Sequence, residues 1–315
     1  MIGPIPRLLL AIVMTLIAVD AIWLSAAHFS IDWAAHLRIG AISAAFAAGG
    51  VFYATLRKDE RLSAMLLGTA FLISFSDLAS ITNYFLLTVA GTRIDAFLAG
   101  LDRALGIDWP AMIAWASRHR QFNLLLLAVY GTVLPQMALL TILLGWRSAS
   151  TRIYSLCLAI VCATFLAVGF WAVFPSFGAI SVYRLSPEIL ARTPLALDPA
   201  YAKDLLQLLA NGPGLISPSD LKGLIGFPSF HAVLALLVTW YARSLPRYVF
   251  VPFIGLNLLV LISTPIQGGH HVVDVLAGFP VAAISILFAE KLTALAARRR
   301  IATFSGALSG ANTTA

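Results

Sequence analysis

Residues 226–231 read Gly-Phe-Pro-Ser-Phe-His, and residues 268–274 read Gly-Gly-His-His-Val-Val-Asp. Three of the six histidines of the chain lie in these two segments, and each segment stands at the start of a long apolar run. Ionisable side chains at the mouths of membrane helices are costly to keep there and commonly serve a function. The rest of the chain is therefore interpreted as a frame that holds the two segments face to face.

The composition is that of an integral membrane protein. Of the 315 residues, 60% are hydrophobic and 11% are charged, whereas soluble globular proteins carry roughly 25% charged residues. The mean hydropathy is +0.91. A spanning helix needs about 20 mostly apolar residues, and eight stretches qualify: 7–27, 37–56, 62–90, 122–146, 153–174, 228–246, 248–265 and 271–292. These stretches predict an all-α polytopic membrane helix bundle with about eight transmembrane helices.

The basic residues predict the orientation of this bundle. With a cytoplasmic N-terminus, 12 of the 21 Lys and Arg residues fall in the short inside segments, as the positive-inside rule requires. Both termini are then cytoplasmic, and both histidine segments face outward. The net charge of +7 is spread over loops and ends, so it is interpreted as a topology signal and not as a nucleic-acid surface.

Two long loops lie on the outer side in this topology. In residues 91–121, apolar residues recur at helical spacing with Asp95 and Asp102 between them, which predicts an amphipathic helix on the membrane surface, with Trp109 and Trp115 at headgroup level. Residues 175–227 are rich in Pro, Ser and Gly and are expected to form a partly ordered cap, with a short helix from Pro199 to Leu209. The predicted units are residues 1–121, a catalytic membrane core at 122–295, and a disordered cytoplasmic tail at 296–315.

The first histidine segment has the features of an anion site. Pro228 suits the first position of a helix, where its missing N–H costs nothing. The free N–H groups of a first helical turn attract phosphate. Ser229 adds a hydroxyl, and His231 can give or take a proton near pH 7.

The second segment has the features of an oriented nucleophile. His270 and Asp274 are four residues apart and share one face of a helix. The carboxylate can hold one ring nitrogen and leave the other free. Gly268 and Gly269 let the backbone approach a ligand closely, and His271 points elsewhere.

Together the segments resemble the type 2 phosphatidic acid phosphatase superfamily. Its second motif, Pro-Ser-x-His, matches residues 228–231, and its third motif, Ser-Arg-x5-His-x3-Asp, matches residues 263–274 except at Thr264. The catalytic resemblance covers about residues 153–292 and implies a six-helix phosphatase-like core.

The resemblance also implies roles for individual residues. His270 would attack phosphorus and form a phosphohistidine, Asp274 would orient and support it, and His231 would protonate the leaving oxygen. The phosphate would be bound by Ser229, Phe230 and Gly269. The mechanism requires no metal and no cofactor, and His28 and His36 in the first outside loop are not expected to form a metal site.

Two departures from the superfamily pattern concern the phosphate-binding cations. Thr264 replaces the arginine of the third motif, and the first motif, Lys-x6-Arg-Pro, is absent from the sequence. Gln267 could replace part of the lost hydrogen bonding. The candidate substitute cations on the outer face are Lys222, Arg184, Arg118 and Arg120.

These departures resemble the branch that contains inositol phosphorylceramide synthases. The leading hypothesis is an outward-facing lipid phosphatase or phosphotransferase that acts on a membrane lipid phosphate in a bacterial inner membrane, with the active site facing the periplasm. The alternatives are a phospho-alcohol headgroup transferase and a catalytically silent relative that binds or transports lipid. The lipid, its acceptor and the oligomeric state stay open.

Overall fold

The protein is an all-α helical membrane bundle, as predicted. The computed structural model describes residues 3–26, 29–197 and 200–311, with side chains to residue 298. The described part contains α1 (Pro4–Ala26), α2 (Trp33–Phe52), α3 (Glu60–Phe85), α4 (Asp95–Ala104), α5 (Trp109–Arg118), α6 (Arg120–Tyr130), α7 (Val133–Trp146), α8 (Ser150–Val173), α9 (Pro187–Arg192), α10 (Tyr201–Asn211), α11 (Phe230–Ala242), α12 (Arg247–Gln267) and α13 (Val272–Ala311). Two short strands, β1 (Ser30–Ile31) and β2 (Leu215–Ile216), pair in parallel.

All eight predicted apolar stretches contain helix, but they differ in how they cross. In the described residues, six helices are long and apolar enough to span a membrane: α1, α2, α3, α8, α12 and α13. A seventh span is the pair α6 and α7, which is bent by 48°. Pro135 in the first turn of α7 explains the break, because its ring clashes with the carbonyl four residues earlier. Helix α11 has 13 residues, which is about 20 Å of helix against a hydrocarbon core of about 30 Å.

A single apolar core joins the N-terminal spans to the predicted catalytic unit. Helix α8 packs against α3, α11 and α13, and α3 also packs against α7. Phe71 and Phe75 of α3 belong to the same buried cluster as Leu156 of α8 and Val233 of α11. The predicted boundary at residue 121 therefore separates helices that share one core.

In the first outer loop, the polar face of the predicted amphipathic helix is buried against the protein instead of facing water. It forms two helices, α4 and α5, instead of one. Asp95 and Asp102 of α4 are 3% and 1% exposed, whereas Phe97 is 64% exposed. Trp109 is also fully buried, and its indole N–H donates to the carbonyl of Pro265 at 2.8 Å. The prediction for Trp109 is corrected accordingly, while Trp115 is partly exposed.

The second outer loop forms an ordered cap. It contains α9, α10 and β2, and β2 ties the cap to the loop between α1 and α2. The predicted short helix corresponds to α10, while Pro199 lies outside the described residues.

At the C-terminal end of the chain, α13 continues to Ala311, past residue 296, where the disordered tail is predicted to begin. The alanines and arginines there favour helix.

Candidate functional site

The first turn of α11 is attached to α13 through Ser229. The Ser229 side chain caps α11 by accepting from the N–H of Ala232 at 3.4 Å. Its own N–H donates to the backbone carbonyl of Asp274 at 3.0 Å. Phe230 is thus the first helical residue, and Pro228 lies one residue before the cap, which corrects its predicted position at the helix start. Ser229 is thus the N-cap of α11, a position at which serine is strongly preferred.

His270 lies in the turn between α12 and α13 with one ring nitrogen fully engaged. Its Nδ1 is 2.8 Å from the carbonyl oxygen of Gly226 and 3.2 Å from Oδ2 of Asp274. A carbonyl oxygen can only accept a hydrogen bond, so Nδ1 carries the proton. Nε2 then holds the lone pair, and it lies 3.4 Å from the Ser229 hydroxyl.

The environment of His270 keeps the ring neutral. The side chain is 6% exposed, and burial lowers the pKa of His270 to about 4, although the hydrogen bond to Gly226 opposes this change. An imidazole with this pKa is unprotonated at neutral pH, so Nε2 is available as a nucleophile.

Asp274 connects the histidine to the start of α13. Its Oδ2 accepts from the backbone N–H of His271 at 2.8 Å in addition to facing His270. Its Oδ1 is buried and has no hydrogen-bond partner among the described residues. The carboxylate is therefore held in one orientation by the backbone and is free to act on the His270 ring.

His231 lies one residue inside α11 and packs against Tyr130 at the end of α6. The two rings stack with centroids 4.2 Å apart at an angle of 13°. The Tyr130 hydroxyl lies 3.2 Å from Nδ1 of His231. Nδ1 is engaged in this way, and Nε2 is the nitrogen left for proton transfer.

Gly268 brings Tyr130 next to His270. A β-carbon built on Gly268 would lie 2.7 Å from the Tyr130 hydroxyl and 2.8 Å from Cδ2 of His270. Gly269 has φ = +61°, and its carbonyl accepts from the N–H of Ile180. Both glycines therefore serve close protein packing, which was not predicted. His231, Tyr130 and His270 form one contiguous group.

Asp95 holds the loop that orients both histidine segments. Its Oδ1 accepts from the Ser176 hydroxyl and from the N–H groups of Phe177 and Gly178, at 2.8, 2.8 and 3.0 Å. Its Oδ2 pairs with Arg93 at 2.6 Å. The carbonyl of Ser176 in turn accepts from the N–H of Gly226 at 2.8 Å. Through Ser176, Asp95 thus helps to position the Gly226 carbonyl, which accepts the hydrogen bond from Nδ1 of His270.

Asp102 caps the helix that carries Asp274. Its two oxygens accept from the N–H groups of Val272 and Val273, each at 3.0 Å. Oδ2 also lies 3.4 Å from Nδ1 of His271, which is fully buried. Sequence reasoning placed Asp95 and Asp102 on a surface helix. The signal that could have revealed them is their position seven residues apart on one helix face, among buried Leu98 and Ala99.

Two of the predicted phosphate ligands are engaged elsewhere. The Gln267 amide donates to Oδ1 of Asn123 at 2.6 Å and accepts from the N–H of Ala196 at 3.0 Å. Lys222 forms an ion pair with Asp204 of α10. Gln267 therefore joins α12 to α6 and the cap, and Lys222 joins two parts of the cap. Gln267 uses both ends of its amide in these contacts, and the Lys222 ammonium is paired with a carboxylate of the cap.

The other predicted cations are exposed and make no contact with the histidine group. Arg118, Arg120 and Arg184 all have exposed side chains. Within the described residues, no lysine or arginine forms an ion pair or hydrogen bond with His231 or His270. The Thr264 hydroxyl donates to the carbonyl of Val260 at 2.8 Å. The structure thus brings together Ser229, Phe230, His231, Gly269, His270 and Asp274, and it leaves the predicted cations apart.

We searched the described part of the chain for clusters of metal-ligating side chains. No group of three or more His, Cys, Asp or Glu side chains could hold a metal ion there. His28 lies outside the described residues. His36 has a carboxylate partner that the sequence did not indicate, since its Nδ1 lies 2.9 Å from Asp77 of α3.

Comparisons with known proteins identify one family. Residues 96–288 match the family model described as the PAP2 superfamily, that is, type 2 phosphatidic acid phosphatases. This range covers both histidine segments together with Asp102, and it begins one residue after Asp95. No curated protein and no solved structure gives a significant match.

Proposed function

Since the chain belongs to the PAP2 superfamily, we propose that it is a lipid phosphatase or phosphotransferase that forms a phosphohistidine at His270. Membership of the superfamily and the apolar helices support a membrane-embedded lipid phosphoesterase of the phosphatase type. The observation that carries the finer proposal is the double engagement of His270 Nδ1, which leaves Nε2 as an oriented lone pair.

The first half of the reaction transfers the phosphoryl group to the enzyme. Nε2 of His270 attacks phosphorus, the N–P bond forms, and the bond from phosphorus to the leaving oxygen breaks. His231 donates its Nε2 proton to that oxygen. Positive charge develops on the His270 ring, and Asp274 stabilises it through Nδ1, which is the electrostatic logic of a catalytic triad.

The second half releases the phosphoryl group. His231, now neutral, takes a proton from water or from an alcohol, whose oxygen attacks phosphorus while the N–P bond breaks. Water as acceptor makes the enzyme a phosphatase, and a lipid alcohol makes it a transferase. Ser229 lies within reach of Nε2, and the N–H groups of the first turn of α11 favour the phosphate oxygens.

Among the described residues no cation bonds to the histidines, which favours a phosphodiester substrate and with it the headgroup transferase as the second candidate. A phosphate monoester carries a charge of about −1.5 to −2 at pH 7, whereas a diester carries one negative charge. Neutral hydrogen-bond donors stabilise a single negative charge more readily than a double one. The inositol phosphorylceramide synthase type is one form of this candidate, and a silent lipid-binding relative is the third.

We further propose a bacterial inner membrane location with both termini in the cytoplasm and the histidine group facing the periplasm. Segments predicted to be outside contact one another through the β1–β2 pair, the Asp95–Ser176 hydrogen bond and the bond from the Ile180 N–H to the Gly269 carbonyl. Reporter fusions at both termini test the orientation. A periplasmic C-terminus would overturn it.

The activity is tested with purified protein and separate substrates. Phosphatidic acid, a prenyl diphosphate, and phosphatidylinositol with ceramide are supplied, and products are followed by phosphate release and mass spectrometry. Free phosphate that disappears in His270→Ala supports the phosphatase, and a new phospholipid without free phosphate supports the transferase. His119→Ala is the matched control, because His119 is exposed and lies outside the histidine group. Absence of any product in the wild type contradicts the proposal and supports a silent relative.

A further inference from the structure

A cavity lies at the end of the bundle opposite to the histidine group. It has a volume of about 700 Å³ and lies between α1, α3, α8 and α13. Thr293 in its wall follows Asp274 by 19 residues along α13, which corresponds to about 28 Å of helix. This is close to the thickness of the hydrocarbon core, about 30 Å. The cavity is therefore at headgroup level in the other leaflet.

The walls of this cavity carry hydroxyl groups that have no partner. Ser63 of α3 is 5% exposed, and Thr151 and Tyr154 come from the first turns of α8. None of these three hydroxyls forms a hydrogen bond with another described residue, whereas those of Thr55 and Thr293 are bonded to backbone carbonyls. All three side chains line the cavity, and Thr151 is exposed, so their hydroxyls are open to a polar ligand.

Two opposite charges complete the lining. Lys58 and Glu60 both line the cavity, and neither forms an ion pair within the described part of the chain. They stand at the junction between the π-helical turn Tyr53–Arg57 and α3, where Lys58 has φ = 54°. A ligand that complements this wall has an anionic group for Lys58 and the hydroxyls, and a cationic donor for Glu60.

We propose that this cavity binds the headgroup of a phospholipid with a primary ammonium, such as phosphatidylethanolamine. Its phosphate would lie against Lys58 and the three hydroxyls, and its ammonium would donate to Glu60. Basic pockets between transmembrane helices bind the phosphates of lipid headgroups, and here Glu60 lies beside Lys58 in the lining and adds an acceptor for a cation. The cavity is separated from the histidine group by the thickness of the bilayer, so its occupation is independent of the proposed catalysis.

The test compares lipid retention by the full chain. Purified protein is mixed in detergent with equal amounts of phosphatidylethanolamine, phosphatidylcholine and phosphatidylglycerol, and bound lipids are measured by native mass spectrometry. The expected preference for phosphatidylethanolamine over each of the others is roughly fivefold, which is the upper range for one partly exposed ion pair. A quaternary ammonium cannot donate to Glu60, and phosphatidylglycerol has no cation.

Variants locate the binding and separate it from the catalytic proposal. Glu60→Gln is expected to remove the preference over phosphatidylcholine, and Lys58→Ala to lower retention of both. Glu188→Gln is the matched control, because Glu188 is also exposed and lies in the first turn of a helix. Equal retention of the three lipids, a preference for phosphatidylglycerol, or a preference that survives Glu60→Gln would overturn the proposal. None of these results depends on enzymatic turnover.

Discussion

A carboxylate can support a catalytic histidine by fixing its tautomer or by stabilising its positive charge. The substitution Asp274→Asn separates these two effects. An Asn at this position can still accept from the N–H of His271, but it loses the negative charge beside the His270 ring. The tautomer has a second support, because the carbonyl of Gly226 accepts from Nδ1 at 2.8 Å, closer than the 3.2 Å to Asp274. The proton is therefore expected to stay on Nδ1 in the variant.

The magnitude follows from what is lost. In serine proteases, Asp→Asn lowers kcat by about 10⁴ because the histidine takes the wrong tautomer. Here only the charged hydrogen bond is lost, about 1.5–3 kcal/mol, which corresponds to a decrease of roughly 10- to 150-fold. We expect the phosphohistidine to form in the variant at this reduced rate.

The assay uses a lipid phosphate labelled on phosphorus, with rapid denaturation in base to trap the acid-labile phosphohistidine. Turnover and trapped label are measured for the wild type, Asp274→Asn and His270→Ala, with Asp220→Asn as an exposed control. Thermal unfolding verifies that the variants fold. A loss near 10⁴ would mean that Gly226 does not hold the tautomer, and an unchanged rate would mean that Asp274 does not support the nucleophile. Either result would refute the reasoning.

Tyr130→Phe keeps the ring stack on His231 but removes the hydrogen bond to Nδ1, so turnover should fall about fivefold for a bond worth about 1 kcal/mol; an unchanged rate and pH profile would contradict a positioning role. Asp102→Ala removes the cap of α13, which should cost about 1–2 kcal/mol in thermal unfolding. Asp95→Ala leaves Arg93 unpaired and should cost more, about 3–5 kcal/mol, and equal losses for the two variants would argue against this ranking. Because the pKa of His270 is lowered to about 4 and the nucleophile is the neutral form, the acid limb of phosphohistidine formation should lie near pH 4, while the loss at higher pH belongs to His231, which must be protonated to donate. An acid limb near 6.5 would contradict the burial of His270.

Sequence reasoning was sufficient for the features that depend on local composition. Apolar runs predict membrane helices because each span must satisfy its own backbone and bury its side chains in lipid. The two short motifs contain His231, His270 and Asp274, and their spacing alone identifies the superfamily that the family match supports. The short length of α11 and the break after Tyr130 were not predicted, because hydropathy does not show where a turn interrupts an apolar run.

The support of the histidine group depends on contacts between distant segments. Asp95 and Asp102 look like the wet face of an interfacial helix, because periodicity shows that a face is polar but not whether water or protein lies against it. Only the packing of α4 on the loop at residues 176–178 and on α13 shows that Asp95 and Asp102 accept backbone N–H groups. Gln267 was expected to replace part of the hydrogen bonding lost with the motif arginine, yet it bonds to Asn123, which is 144 residues away.

The sequence by itself determined that this is a membrane protein with two histidine motifs of the PAP2 superfamily, since apolar length and residue spacing are properties of the chain. The tertiary structure decided which atoms hold those histidines: the Gly226 carbonyl and Asp274 for His270, and Tyr130 for His231. A hydrogen bond requires two groups within about 3 Å in the right direction. For residues far apart in sequence, only the folded chain determines that distance.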